Sequence, residues 1–147
     1  MNEKTNAAFE AKRAVLVEYY SRRRPLEKAK DEAMRSRSDD EYHRLSDELK
    51  KIVFPMTEGE YRAVRDWERS TDTFICRDYL WERDIHDYIE ALRDAGVIEF
   101  LDADESTAVM RCAHGFVGEG AKLEGTATFT EDDGLFKTTY LCLRFSL

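Results

Sequence analysis

The chain has 147 residues, 42% of them hydrophobic and 12% aromatic, enough to bury a core without metal or disulfide support. Its net charge of −8 and pI near 5.0 argue against a uniformly basic protein that coats nucleic acid. Cys76, Cys112 and Cys142 are widely spaced among apolar residues, which excludes a disulfide framework, and no apolar run approaches the ~18 residues of a membrane helix.

The start, MNEKTNAAFEAKR, has no apolar signal-peptide core. The expectation is a cytoplasmic protein with no membrane contact. It is read as one domain over 1–147, with 1–37 open to being a basic helical extension. Charge is unevenly spread. Residues 1–50 carry 12 basic and 11 acidic groups, and residues 51–147 carry 11 and 20. The stretch from Asp78 to Glu105 holds ten acids against two arginines. Such fields steer association rather than set the fold.

A first helix is predicted over Asn6–Arg23, with Phe9, Leu16 and Tyr20 on one face. Pro25 ends or kinks it, and a charged helical stretch follows from Leu26 to Arg35. Ser36–Asp40 is a break. Ser38-Asp39-Asp40-Glu41 has the form of a capping box, opening a helix with Tyr42, Leu45, Leu49 and Ile52 as its stripe. Pro55 stops it. Thr57-Glu58-Gly59-Glu60 repeats the box and opens a short helix to about Arg69, with Tyr61, Val64 and Trp67 inward.

Phe74-Ile75-Cys76 reads as either a strand or an extra helical turn. The main helix is predicted over Tyr79–Ala95, with Trp81, Ile85, Tyr88, Ile89 and Leu92 facing the core. Gly96 is its left-handed stop and Val97 the following hydrophobic contact. Val97–Leu101 reads as a strand. Ser106–Val117 has helical spacing, with a strand over Thr107–Ala113 as the alternative. A hairpin closes the chain. Leu123, Gly125, Ala127 and Phe129 alternate with polar residues, Asp132-Asp133-Gly134 turns, and Leu135, Leu141, Leu143 and Phe145 alternate again. The predicted class is α+β: N-terminal helices, then a long amphipathic helix packed on a small C-terminal antiparallel sheet of roughly three strands.

Four sets of residues carry candidate chemistry. Glu82, His86 and Glu90 form an i, i+4 ladder that suits a metal or acid–base site, or simply a solvated helix face. Cys112 and His114, with the glycines of HGFVGEG, invite a thiol-nucleophile reading. On a helix, however, positions i and i+2 point apart, and the bland reading is a buried Cys beside a glycine turn. Arg22, Arg23, Arg24, Lys28 and Lys30, beside Tyr19 and Tyr20, are candidate phosphate contacts. Asp84, Asp87, Glu90, Asp94, Glu99, Asp102, Asp104 and Glu105 are the candidate interaction surface, against a reading in which acids serve only solubility.

The segment WERDIHDYIEALRDAGVIEF, with the closing hairpin, resembles small uncharacterised proteins of bacterial mobile genetic elements, over Trp81 to Leu147. The shared pattern is helix, glycine, strand. It implies no activity and transfers no functional residue. ALRDAGVI also resembles the helix-into-strand step of winged-helix domains, but the helix before it is acidic where a DNA-reading helix is basic.

The sequence therefore favours a non-enzymatic protein-interaction or regulatory module, with another protein or a second copy as partner and no cofactor or metal. Nucleic-acid binding through the basic helices is the alternative. A small enzyme or metal-binding protein using His86 or His114 is the third reading.

Overall fold

The computed structural model describes residues 1–103 and 106–147. The chain divides into two compact units, Glu10–Met56 and Met1–Phe9 with Thr57–Leu147.

The first unit is a pair of helices. Helix α1 spans Glu3–Arg35 as one element and continues through Pro25, where the sequence predicts a stop or a kink. Proline removes one backbone donor, but side chains bridge the site. Arg23 Nε donates to Glu27 Oε1 at 2.9 Å, and its Nη1 donates to the Tyr19 hydroxyl at 3.0 Å. Helix α1 ends in a Schellman closure. Ser38 N donates to Ala33 O and Arg37 N to Met34 O, with Arg37 at φ 55°. Helix α2 covers Asp39–Lys50 and buries Leu45 and Leu49. Ser38 occupies its N-cap position, yet its side chain makes no capping bond. Glu41 turns forward to Arg44 at 2.6 Å instead of back to the cap, so the predicted box does not close. Tyr19 meets Phe54 edge-on at 5.1 Å, and Lys30 Nζ lies 4.8 Å over the Tyr42 ring.

The second unit is α+β. Its elements are α3 (Glu58–Glu68), β1 (Phe74–Cys76), α4 (Glu82–Asp94), β2 (Glu99–Asp102), α5 (Val109–Gly118), β3 (Lys122–Asp132) and β4 (Lys137–Ser146). The sheet has four strands in the order β1-β2-β4-β3. It is mixed, where an antiparallel sheet of three is predicted. The fourth strand is the ambiguous Phe74-Ile75-Cys76, which pairs parallel to β2 through α4 as the crossover. All three residues are buried, so no alternation marks them as a strand.

Helix α3 opens on the predicted box, here complete: Glu60 N donates to Thr57 Oγ1 at 3.3 Å and Thr57 N to Glu60 Oε2 at 3.1 Å. Helix α4 closes as predicted. Gly96 takes φ 74°, Val97 N donates to Leu92 O, and Gly96 N to Arg93 O. Residues 109–118 are helix rather than strand; Ser106 lies two residues before the Ala108 cap and accepts from Ala108 N at 3.2 Å.

The helices cover one face of the sheet through a run of aromatic contacts. Phe9 stacks on Trp67 and Phe74, Phe74 meets Tyr88, Tyr88 stacks on Phe116, and Phe116 sits edge-on to Phe100 and Phe145. On the other face Ile75, Leu101 and Cys142 form a smaller cluster with Ala127, Phe129 and Tyr140. The alternation predicted for β4 is kept, and this second cluster covers its other face as well. Cys142 and Phe145 are both buried on opposite faces, while Leu141 is exposed. A bulge between Leu123 and Gly125 shifts the β3 register. The hairpin loop is Asp133–Phe136, so Leu135 belongs to the loop and not to the strand.

Candidate interaction site

The site begins with the chain before α4. Asp78-Tyr79-Leu80-Trp81 leads into the helix, and Trp81 is its N-cap residue, extended at ψ 142°. Outside the helix, Trp81 is not part of the core stripe assigned to it from periodicity. Its side chain is 63% exposed and meets Tyr79 edge-on at 5.5 Å. Leu80 turns inward, and its backbone clamps Cys112 of α5: Leu80 N donates to the Sγ and the Sγ donates to Leu80 O, both at 3.5 Å.

Those contacts hold α5 beside α4 and leave an open groove of about 510 Å³ between them. Tyr79, Leu80, Trp81 and Ile85 line one side, and Met110 and Gly115 the other, with Met110 68% exposed. Glu82, Arg111 and His114 supply the polar rim, with Arg83 in the adjoining hollow beside Trp81. Gly115 sets the close approach, because a Cβ there would run into the Ile85 side chain. Apolar walls with a few polar groups at the edge are the usual make-up of a docking pocket.

Asp87, Glu90 and Asp94 share the outer face of α4 at i, i+3 and i+7. Asp94 is exposed and the other two are half-buried, with Glu90 paired to Arg93 at 2.7 Å. Glu99 is exposed at the start of β2. Asp84 and Asp102 belong to the candidate surface by sequence but are buried, Asp84 beside Arg83 at 3.3 Å. Asp104 and Glu105 lie outside the described residues.

His86 and His114 do not come together with a thiol. His86 Nδ1 lies 2.7 Å from Glu119 Oε2, and this hydrogen bond and charge raise the imidazole above its ordinary range. Such a raised histidine favours the folded state below the ordinary imidazole range and loses that contribution as pH rises through its folded value. His114 is exposed on the groove rim while Cys112, two residues earlier, is buried, as helical spacing requires. All three cysteines are buried thiols, and burial pushes Cys76 well up, away from the reactive thiolate. Among the described residues, no group of three or more His, Cys, Asp or Glu is placed to hold a metal ion.

In the helical unit Arg22, Arg24 and Lys28 are exposed on α1. Arg23 is engaged by Glu27 and Tyr19, and Lys30 by the Tyr42 ring.

One polar constellation was not anticipated. Asp66 of α3 is buried; its Oδ2 accepts from the Tyr88 hydroxyl at 2.9 Å and its Oδ1 from Arg77 N at 3.4 Å. Burial pushes its carboxyl up to about 6, against the pull of those two donors. Burial likewise raises the Tyr88 phenol well above its ordinary value. Periodicity gives no signal for such a pair, since Asp66 reads as a surface acid. The groove left a fainter trace, the cluster of aromatics in DYLW just ahead of a helix start.

A family model matches residues 59–140: the DUF7698 domain, a domain of unknown function. No curated protein and no solved structure matches the chain.

Proposed function

The chain belongs to the DUF7698 family, and we infer that it is a non-enzymatic protein-interaction or regulatory module. The observation that carries this reading is the groove between α4 and α5, where Trp81 and Met110 stand exposed and α4 carries an acidic outer side. Large exposed side chains around a groove mark contact surfaces, and aromatic residues anchor them. The partner lays an apolar segment against Trp81 and Met110 and directs basic groups at Asp87, Glu90, Asp94 and Glu99. Both features fall inside the matched residues 59–140, whereas the arginines of α1 fall outside them. A bacterial setting on a mobile genetic element rests on the sequence resemblance alone, and a cytoplasmic one on the three buried thiols, none of them in a disulfide.

The test is capture with the tagged full chain from host lysate, with and without nuclease. Two variants run beside it, Trp81→Ala with Met110→Ala, and Asp87→Asn with Glu90→Gln and Asp94→Asn. A protein that survives nuclease and is lost with either variant supports the reading. Retention by both variants contradicts it.

A second reading is nucleic-acid binding through Arg22, Arg24 and Lys28, supported by their exposure on one helix. Neutralising the three should then weaken binding and flatten its salt dependence. Unchanged affinity removes that surface.

A further inference from the structure

Strand β3 ends the sheet, whose order is β1-β2-β4-β3, so one of its two edges has no neighbouring strand. The strand runs from Lys122 to Asp132. Its bulge lies near the start, and from Gly125 to Asp132 the pairing with β4 is unbroken. Antiparallel neighbours bond at alternate residues, and the residues between turn their backbone N–H and C=O the other way. Asp133 N donates to Phe136 O, which fixes the alternation along β3. Thr126, Thr128 and Thr130 are therefore the residues whose backbone groups face the free edge. All three are exposed, and among the described residues no other segment bonds to their backbone.

Edges that stay single are blunted by lysine, proline or another charge within the strand. Gly125-Thr126-Ala127-Thr128-Phe129-Thr130 has none of these. The charges of β3 stand at its ends and are engaged within the chain, Lys122 with Glu124 at 3.2 Å, Asp132 with Lys137 at 3.4 Å and Glu131 with Arg77. The strand also matches itself when turned end for end about Ala127. Thr126 then lies opposite Thr128, and the two exchange both backbone bonds from their free sides. Gly125 lies opposite Phe129. A Cβ on Gly125 would meet nothing within 4 Å, so the surface above it is open. Phe129 is half-buried, stacks on Tyr140 at 6.3 Å and shares a face of the sheet with Gly125. An aromatic ring laid across a strand glycine supplies the packing that glycine lacks. No like charges are opposed, since Glu131 meets Leu123 and Glu124 meets Thr130. A register centred on Thr128 instead sets Glu124 against Asp132 and takes Phe129 off the glycine.

We propose that β3 pairs antiparallel with β3 of a second copy of this chain, centred on Ala127, so that two four-stranded sheets become one continuous sheet. The contact is two-fold because a single edge is used twice and has only itself to fit. It is held by backbone hydrogen bonds and by Phe129 of each copy over Gly125 of the other, not by charge. It uses no residue of the groove between α4 and α5, which keeps its own partner.

Sedimentation velocity on the full chain across the micromolar range is the first test. Wild type is expected to show a monomer–dimer equilibrium that changes little with salt, since no charge pair joins the copies. Thr128→Pro removes a donor that faces solvent in the single chain, where a strand edge tolerates proline. It should weaken association roughly thirtyfold, as one bond is lost on each side of the two-fold axis. Thr128→Lys leaves the backbone donor in place and sets a charge on the edge; it should weaken the dimer as well, and it decides the matter if proline disturbs the fold. The register is read by mild oxidation of variants with one added cysteine, the native thiols being buried. Thr126→Cys mixed with Thr128→Cys should give a disulfide-linked dimer, and neither should alone, because positions 126 and 128 lie opposite each other across the axis. A wild type that stays monomeric, a dimer that both Thr128 variants leave intact, or cysteine variants that crosslink as readily alone as mixed overturns the proposal.

Discussion

Asp66 is the residue whose environment departs furthest from its place in the sequence. It is 2% exposed, and its carboxyl titrates near 6 when folded against 3.8 as its ordinary value. Between those values the folded chain holds a proton that the unfolded chain has released. The contribution of this group to stability is therefore greatest below pH 4 and falls as pH rises through 6. The span is worth ~3 kcal/mol. Asp66→Asn keeps partners for Tyr88 and Arg77 N without a charge. It should raise the melting temperature at pH 7–8 and bring no gain below pH 4; thermal melts of both proteins across that range decide it. Gly59 is a second residue decided by tertiary contact. A Cβ there would overlap the Asp84 carbonyl and the Tyr88 amide, both backbone and unable to step aside. Gly59→Ala should cost about 2–3 kcal/mol despite its better helix propensity, read as a lower urea midpoint.

At the scale of elements, two similar sequences behave differently. Thr57-Glu58-Gly59-Glu60 closes its capping box and Ser38-Asp39-Asp40-Glu41 does not. Glu60 reaches back to the cap amide, whereas Glu41 is drawn onward to Arg44, which also holds Glu48. Thr57→Ala should cost ~1 kcal/mol, and Ser38→Ala a small fraction of that. Matched denaturant titrations of the two variants provide the comparison, and equal losses would contradict the account. The end of α1 offers the opposite change. Arg37 fills the left-handed position that glycine fills after α4. Arg37→Gly should stabilise by up to ~1 kcal/mol, visible as slower amide exchange near the end of α1. A neutral or harmful effect would show that the Arg37 side chain contributes more than its backbone costs.

For the whole molecule, the legible parts were those fixed by local chemistry. The Thr57 start, the Gly96 stop, the Asp-Gly hairpin and the stripe of α4 from Ile85 to Leu92 all depend on residues close in sequence. The α+β class follows from them. What escaped depends on distant partners. Strand β1 is a strand only because β2 lies beside it, and α1 passes Pro25 with Arg23, Glu27 and Tyr19 bridging the gap. Trp81 carries the right spacing for the core, yet falls one residue before the helix and turns to solvent. Of the eight candidate acids, Asp84 and Asp102 are buried, so among the described residues the exposed anionic face lies on the outer side of α4 and at the start of β2. Beyond the aromatics of DYLW, the sequence does not mark the groove, because it exists only where Leu80 and Cys112 clamp α5 to the start of α4. Charge divides along the same lines: the helical unit, residues 10–56, carries a net +2, and the rest of the chain a net −10. A protein partner and a nucleic acid should accordingly meet different parts of the molecule. The most direct measurement places a photo-crosslinking residue at position 81, 87 or 24 in turn, and reads what each captures in host lysate. Protein adducts from 81 and 87, with none from 24, are the result expected of an interaction module. Nucleic-acid adducts from 24, with 81 and 87 silent, would contradict it.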